Sequence, residues 1–364
     1  MSEIVTVCGT MDAGNCGMIL SHEHMFIDLR NQALPEAKGC RISDQSRAKI
    51  LQNPYCSEDN LVLDDIHLAS KEAELLIKNG CRTVVDCTPD DIGRDPLLLK
   101  LLSEKTGLNI VMGCGWYTED THSHDFSSKS AEFLAEELIS EIRNGVGNTG
   151  IRPGVIGEIG TSKEVSSAEW KAIRASAIAQ KETGLALQVH IYPWSNNGIA
   201  VAQRLMDLNV APERIVICHS DVCPDWRYIR ELLDSGVYVQ LDNFGKEFTP
   251  GKGNFSGGNF ATDEERALLA AEIIQEGFGD QLLLTNDICL KCMTVQYGGE
   301  GYSHIFKNII PMISANGISL KYLRETIMRQ NPLRMLTGYH QGIEKHKNFR
   351  ENDNMQKVSV SACV

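Results

Sequence analysis

The chain has 364 residues, 42% hydrophobic and 23% charged, the balance of a globular protein with a sizeable core and room for two domains or one large α/β barrel. Its formal net charge of −13 repels nucleic acid and anionic membrane, so the expected partner is a small molecule, with no nucleic acid and no membrane. No window approaches the ~18 apolar residues of a membrane span. The opening MSEIVTVCGT lacks the basic region and apolar core of a signal peptide, and the twelve scattered cysteines read as reduced, so a cytoplasmic location is expected.

In chain order, the first strand is GMILSHEHMFID (17–28), an apolar run carrying His22 and His24. Side chains alternate along a strand, so these two imidazoles point together into the fold while Glu23 faces outward. Residues 31–60 are long for a connection and are expected to form a loop over the mouth of the fold. LVLDDIHLASKEAELLIKNG then reads as an amphipathic helix stopped by Asn-Gly. Strands follow at CRTVVDC (81–87) and NIVMGCGW (109–116). After the third comes TEDTHSHDFSSKS, whose His122 and His124 repeat the HxH spacing in a polar setting, so a solvated loop is expected there.

The alternation continues with the helix KSAEFLAEELISEIRNG, the strand PGVIGEIG (153–160), the helix SAEWKAIRASAIAQKETG and the strand LALQVHI (185–191). Further strands are RIVICHS (214–220), VYVQLDN (237–243) and QLLLTND (281–287). Eight strand–helix units predict an α/β protein of the (β/α)8 TIM-barrel type over residues 1–341, with a polar tail at 342–364. A doubly wound open sheet would usually show a glycine-rich phosphate loop after its first strand, and none is present.

On this reading six metal-binding side chains fall at strand ends, where a barrel builds its active site: His22 and His24 on the first, Glu158 on the fourth, His190 on the fifth, His219 on the sixth and Asp287 on the eighth. A carboxylate such as Glu158 or Asp287 in an apolar strand is expensive without a cation. Six donors exceed one tetrahedral site and suit two divalent ions. Such a pair would carry a bridging hydroxide as nucleophile, with Asp287 as the catalytic proton acceptor. Substrate contacts are expected from Trp116 and Tyr117 after the third strand. Lys246, Lys291 and Tyr297, in the glycine-rich segments 244–260 and 289–304, are further candidates.

HEH, GEIG, QVH, ICHSD and the Asp ending the eighth strand together resemble the phosphotriesterase-related branch of the amidohydrolase superfamily, over Val7 to Leu336. LDDIHLASKEA, IGRDPLLLKLLSEKTGLNIVMGCGWY, YGGEGYSHIFKNIIP and NPLRML resemble its resiniferatoxin-binding and phosphotriesterase-homology group most. The resemblance implies a binuclear hydrolase, commonly with zinc. His22, His24 and Asp287 would hold the more buried ion, and His190 and His219 the more exposed one. The bridging position, often a carboxylated lysine in the family, is Glu158 here, which weighs against organophosphate hydrolysis as the native activity. The resemblance also implies lactone, ester or N-acyl amide substrates and allows a homodimer. Phosphoester hydrolysis, or a ligand-binding barrel without turnover, are the alternatives.

Overall fold

The computed structural model describes residues 2–248 and 260–338, so the expected tail at 342–364 lies outside the described residues. A short antiparallel hairpin, Glu3–Thr6 with Gly9–Asp12, precedes the barrel. The barrel strands are β1 (Met18–Glu23), β2 (Cys81–Asp86), β3 (Asn109–Met112), β4 (Ile156–Gly160), β5 (Leu187–His190), β6 (Ile215–Ile217), β7 (Tyr238–Leu241) and β8 (Leu282–Leu284). Each coincides with one of the eight apolar runs. β1–β3 and β4–β8 are joined in chain order, all parallel. At the β3–β4 seam, Gly157 N donates to Cys114 O (2.7 Å) and Gly154 N to Met112 O (2.9 Å). At the β8–β1 seam the Thr285 hydroxyl lies 2.9 Å from the His22 carbonyl. This is a (β/α)8 TIM barrel.

The first seven strands lead to helices α1 (Ile66–Lys78), α2 (Pro96–Thr106), α3 (Ala131–Asn144), α4 (Ser167–Thr183), α5 (Asn197–Asp207), α6 (Trp226–Asp234) and α7 (Asp263–Gln275). Their ends follow from local chemistry. Ser166 and Glu169 form a reciprocal capping box on α4, and Gly184 ends it at φ +72°. After β8 the helical return is broken into short pieces, including the π-helical turns Ile305–Ile309 and Leu323–Gln330.

Strand alternation divides the core. Leu20, Val84, Ile110, Leu187 and Val239 face the helices, while Ile19, Val85, Val111, Val216 and Leu283 fill the barrel floor. Burial of each such side chain contributes about 1.5–3 kcal/mol. Above the floor lies a polar layer, Ser21, Gln188 and Gln240, buried and cross-linked: Ser21 Oγ donates to Gln240 Oε1 (2.8 Å) and Gln188 Nε2 to Ser21 O (2.8 Å). This layer supports what stands at the strand ends.

The segment 31–60 folds over the mouth, with a helix at Asp44–Gln52. Arg47 pins it to the last loop, donating to Cys292 O (3.3 Å) and Gly298 O (2.6 Å), while Asn60 Oδ1 accepts from Cys292 N (2.8 Å).

Candidate metal centre

The barrel brings His22, His24, Glu158, His190, His219 and Asp287 to one point. His22 lies in β1 and His24 one residue past its end; a register irregularity between Leu20 and Glu23 accompanies their shared turn to the centre. Glu158 sits mid-β4 and His190 closes β5. His219 and Asp287 follow β6 and β8, and both hold left-handed backbone conformations, φ +58° and +49°, unusual for residues with a side chain.

Glu158 is in the middle. Its Oε1 is 3.3 Å from His24 Nε2, and its Oε2 is 3.2 Å from His190 Nδ1 and 3.6 Å from both His22 Nε2 and His219 Nε2. Asp287 Oδ1 is 3.1 Å from His24 Nε2 and 3.8 Å from His22 Nε2. β4 reaches this position because Gly157, at φ +134°, lets it run against β5: a Cβ there would lie 2.6 Å from Gln188 O.

The outer partners engage the imidazoles from behind. His22 Nδ1 lies between Gln188 Oε1 (3.2 Å) and Gln240 Nε2 (3.1 Å). Thr88 donates to Phe26 O and accepts from His24 Nδ1 (2.8 Å). Asp242 Oδ1 accepts from His219 Nδ1 (2.8 Å). Three imidazoles therefore aim Nε2 at the centre with Nδ1 engaged behind, the arrangement of histidine metal ligands. His22 Nε2 is buried without a hydrogen-bond partner, an orphaned polar atom whose cost a bound cation would remove. His22, His24 and Glu158 form one group able to grip an ion, and Glu158, His190 and His219 another.

Electrostatics agree. Burial would raise Glu158, but His190, His219, His24 and His22 hold it well below the usual carboxylate range. Burial lowers His22 and His190. Burial would lower His24 too, but the carboxylates of Asp287 and Glu158 raise it to about 10, marking a position that demands positive charge. Lys246 Nζ pairs with Asp287 Oδ2, which, against burial, keeps Asp287 below its ordinary range.

A cavity of about 510 Å³ opens on this centre. Tyr117 and Lys246 line it, with Tyr55, Tyr192, Trp194, Phe248 and Phe260 as its aromatic wall. The Tyr117 ring packs edge-on to His190 (4.8 Å), and Gly160 permits its loop to approach, since a Cβ there would lie 2.3 Å from the Tyr117 carbonyl carbon. The other three expected substrate contacts are elsewhere. Trp116, four residues past the end of β3, packs on Phe126 with ring centres 5.7 Å apart. Lys291 pairs with Asp59 (2.6 Å) to hold the covering loop, and Tyr297 lies beside it, 5.9 Å from ring centre to Lys291 Nζ. Residues 249–259 of the segment 244–260 lie outside the described residues.

Several contributors escaped the sequence reading, among them Tyr55, Phe248 and Phe260 of the aromatic wall. Asp242, in VYVQLDN, carried the same signal as Glu158, a carboxylate ending an apolar strand. Tyr192 and Trp194 directly follow the LQVH strand that presents His190, and only their proximity could have flagged them. Glu23 does point away from the centre, but into the protein: it is fully buried and binds the β8 loop.

Imidazoles and buried carboxylates converging at the C-terminal mouth of a parallel barrel form a site able to hold metal ions, placed where such barrels carry their active sites. A model of the phosphotriesterase family matches residues 2–336. The N-acetyltaurine hydrolase of Danio rerio is 32% identical over 344 residues, 92% of this chain and 98% of that protein; that of Homo sapiens is 31% identical over 346, again 92% and 98%. A resiniferatoxin-binding protein from Rhodobacter sphaeroides superposes with a TM-score of 0.88 at 31% identity, covering 93% of this chain and 95% of its own. The phosphotriesterase homology protein of Escherichia coli, solved with phosphate in its active site, gives 0.74 at 26% identity, covering 90% and 100%. The chain belongs to the phosphotriesterase family, and it is a metal-dependent hydrolase.

Proposed function

We propose that the chain is a binuclear hydrolase, with zinc as the metal, that cleaves the amide bond of a small N-acyl amine and acts on esters and lactones by the same chemistry. The observation that carries this is Glu158 standing between His22 and His24 on one side and His190 and His219 on the other, within 3.2–3.6 Å of all four. His22, His24 and Asp287 would hold one ion, His190 and His219 the other, with Glu158 shared. Imidazole and carboxylate donors suit zinc. When bound, the ions supply a water ionised near neutral pH and polarise the scissile carbonyl.

The protein's own groups complete the reaction. Asp287, kept ionised by Lys246, takes the proton released as water adds to the carbonyl carbon and passes it to the departing nitrogen. Tyr117 borders the reacting carbonyl beside His190. The aromatic wall excludes water around the acyl group. The amide reading is supported by the N-acetyltaurine hydrolases, similar over almost their full length; the lactone option is supported by a structurally similar PTE-like lactonase from Deinococcus radiodurans, 28% identical with a TM-score of 0.73.

The test is metal analysis of the purified chain together with kcat/KM for N-acetyltaurine, N-acyl amino acids, lactones and phosphotriesters. Two ions per chain and a preference for amides are expected. A single ion removes the binuclear reading, and a preference for phosphotriesters removes the amide.

A further inference from the structure

We propose that Glu23 is the positioning residue for Asp287: from inside the β1–β8 seam its carboxylate grips the backbone on both sides of Asp287 and so aims that side chain at the centre. This rests on the reading of Asp287 as metal ligand and proton acceptor.

Glu23 is 0% exposed, lies between His22 and His24, and turns away from the centre they face. Oε1 accepts from the backbone N of Asn286 (2.9 Å) and from its Nδ2 (3.0 Å), and lies 2.7 Å from the Thr285 hydroxyl. Oε2 accepts from Ile288 N (2.8 Å). The two oxygens thus hold the residues immediately before and after Asp287. That residue stands at φ +49°, a conformation that an Asp in a free loop would leave. The surroundings must impose it, and the fork from Glu23 is placed to do so. The hold is also a gauge. The tripeptide that supplies His22 and His24 fixes where Asp287 stands relative to them, with Asp287 Oδ1 3.1 Å from His24 Nε2. A carboxylate is needed because its two oxygens face N–H donors on both sides. A glutamine could still serve Asn286 with its oxygen, but its NH2 would then meet the N–H of Ile288, releasing the chain after Asp287.

The experiment compares E23Q, D287N and the double variant in the full chain. Metal content is followed during dialysis against graded chelator, kcat and KM on an accepted ester or amide, and folding by thermal denaturation. E23Q should fold cooperatively, lose kcat and metal retention by about tenfold or more, and keep KM within about twofold. In the D287N background, at saturating metal, E23Q should lower kcat no further, because Glu23 acts on turnover through Asp287. A lowered Tm with unchanged kcat and metal retention makes Glu23 merely structural, and equal losses in both backgrounds show that it does not act through Asp287; either overturns the inference. If D287N itself keeps wild-type kcat and metal, the reading of Asp287 fails instead. Should E23Q not fold, T285V and N286A each remove one donor from Glu23 and should show the same losses, smaller; full activity and metal retention in both would overturn the proposal.

Discussion

The chain contains two His-x-His segments, and the barrel treats them oppositely. His22 and His24 lie at a strand end, buried, each with Nδ1 engaged behind and Nε2 turned to a shared centre. His122 and His124 follow the third strand in a loop. His124 is exposed, and His122 gives one nitrogen to Tyr117 O (3.0 Å) and stacks on Phe126 with ring centres 4.0 Å apart. The spacing is the same; the backbone under it is not. On a strand, residues two apart share a face, whereas in a turn they diverge. HxH therefore has chemical meaning only when an extended backbone aims both rings and other strands supply the remaining donors.

The largest effect that would break this contrast is on turnover. H24A should lower kcat/KM by about 10³-fold or more by opening the centre, while H122A and H124A should leave it within about twofold. Comparable losses from both pairs would erase the distinction. D287N should reduce kcat by about 10²–10⁴-fold while metal content falls less, since proton acceptance is lost outright and an amide oxygen still ligates. Activity that survived in D287N would remove the proton role. Next in size is stability. Stripping metal with a chelator should lower unfolding free energy by about 3–4 kcal/mol at saturating ion, and the difference should shrink in H24A, which loses a ligand of one of the two ions. Equal chelator sensitivity in H24A would place the ion elsewhere.

Much of this contrast was legible in the residues. Short apolar runs marked all eight strands because buried parallel strands read as continuous apolar segments. The six donors stood out because each interrupted or ended such a run. Glu23 was harder. Period-two alternation tells which face a side chain takes but not whether that face meets solvent or another layer of protein. Lys291 and Tyr297 were credited to the cavity because their loop follows β8, yet Asp59, from a segment more than 200 residues earlier, draws Lys291 aside. Such long-range pairings leave no local trace.

The smallest effect concerns the loop that holds the second HxH. Asp91 Oδ2 accepts from Tyr117 N (2.9 Å) and Thr121 Oγ1 (2.9 Å), while Oδ1 is buried with no partner. Burial raises this carboxyl to about 6, against the hydrogen bonds that lower it. Glu158 and Asp287 face imidazoles or a lysine, whereas Asp91 receives two neutral donors. Because its folded pKa lies above the unfolded one, its favourable contribution is complete below about pH 4 and is lost as pH rises through about 6. An asparagine can accept both hydrogen bonds with its oxygen and carries no charge. D91N should therefore match the wild type near pH 4 and exceed it by about 1–2 kcal/mol at pH 8, with kcat unchanged. Denaturant melts at the two pH values read the difference directly. A variant less stable than wild type at pH 8 would mean that the ionised Asp91 strengthens the loop, and that buried carboxylates on this barrel's mouth are tolerated without a cation after all.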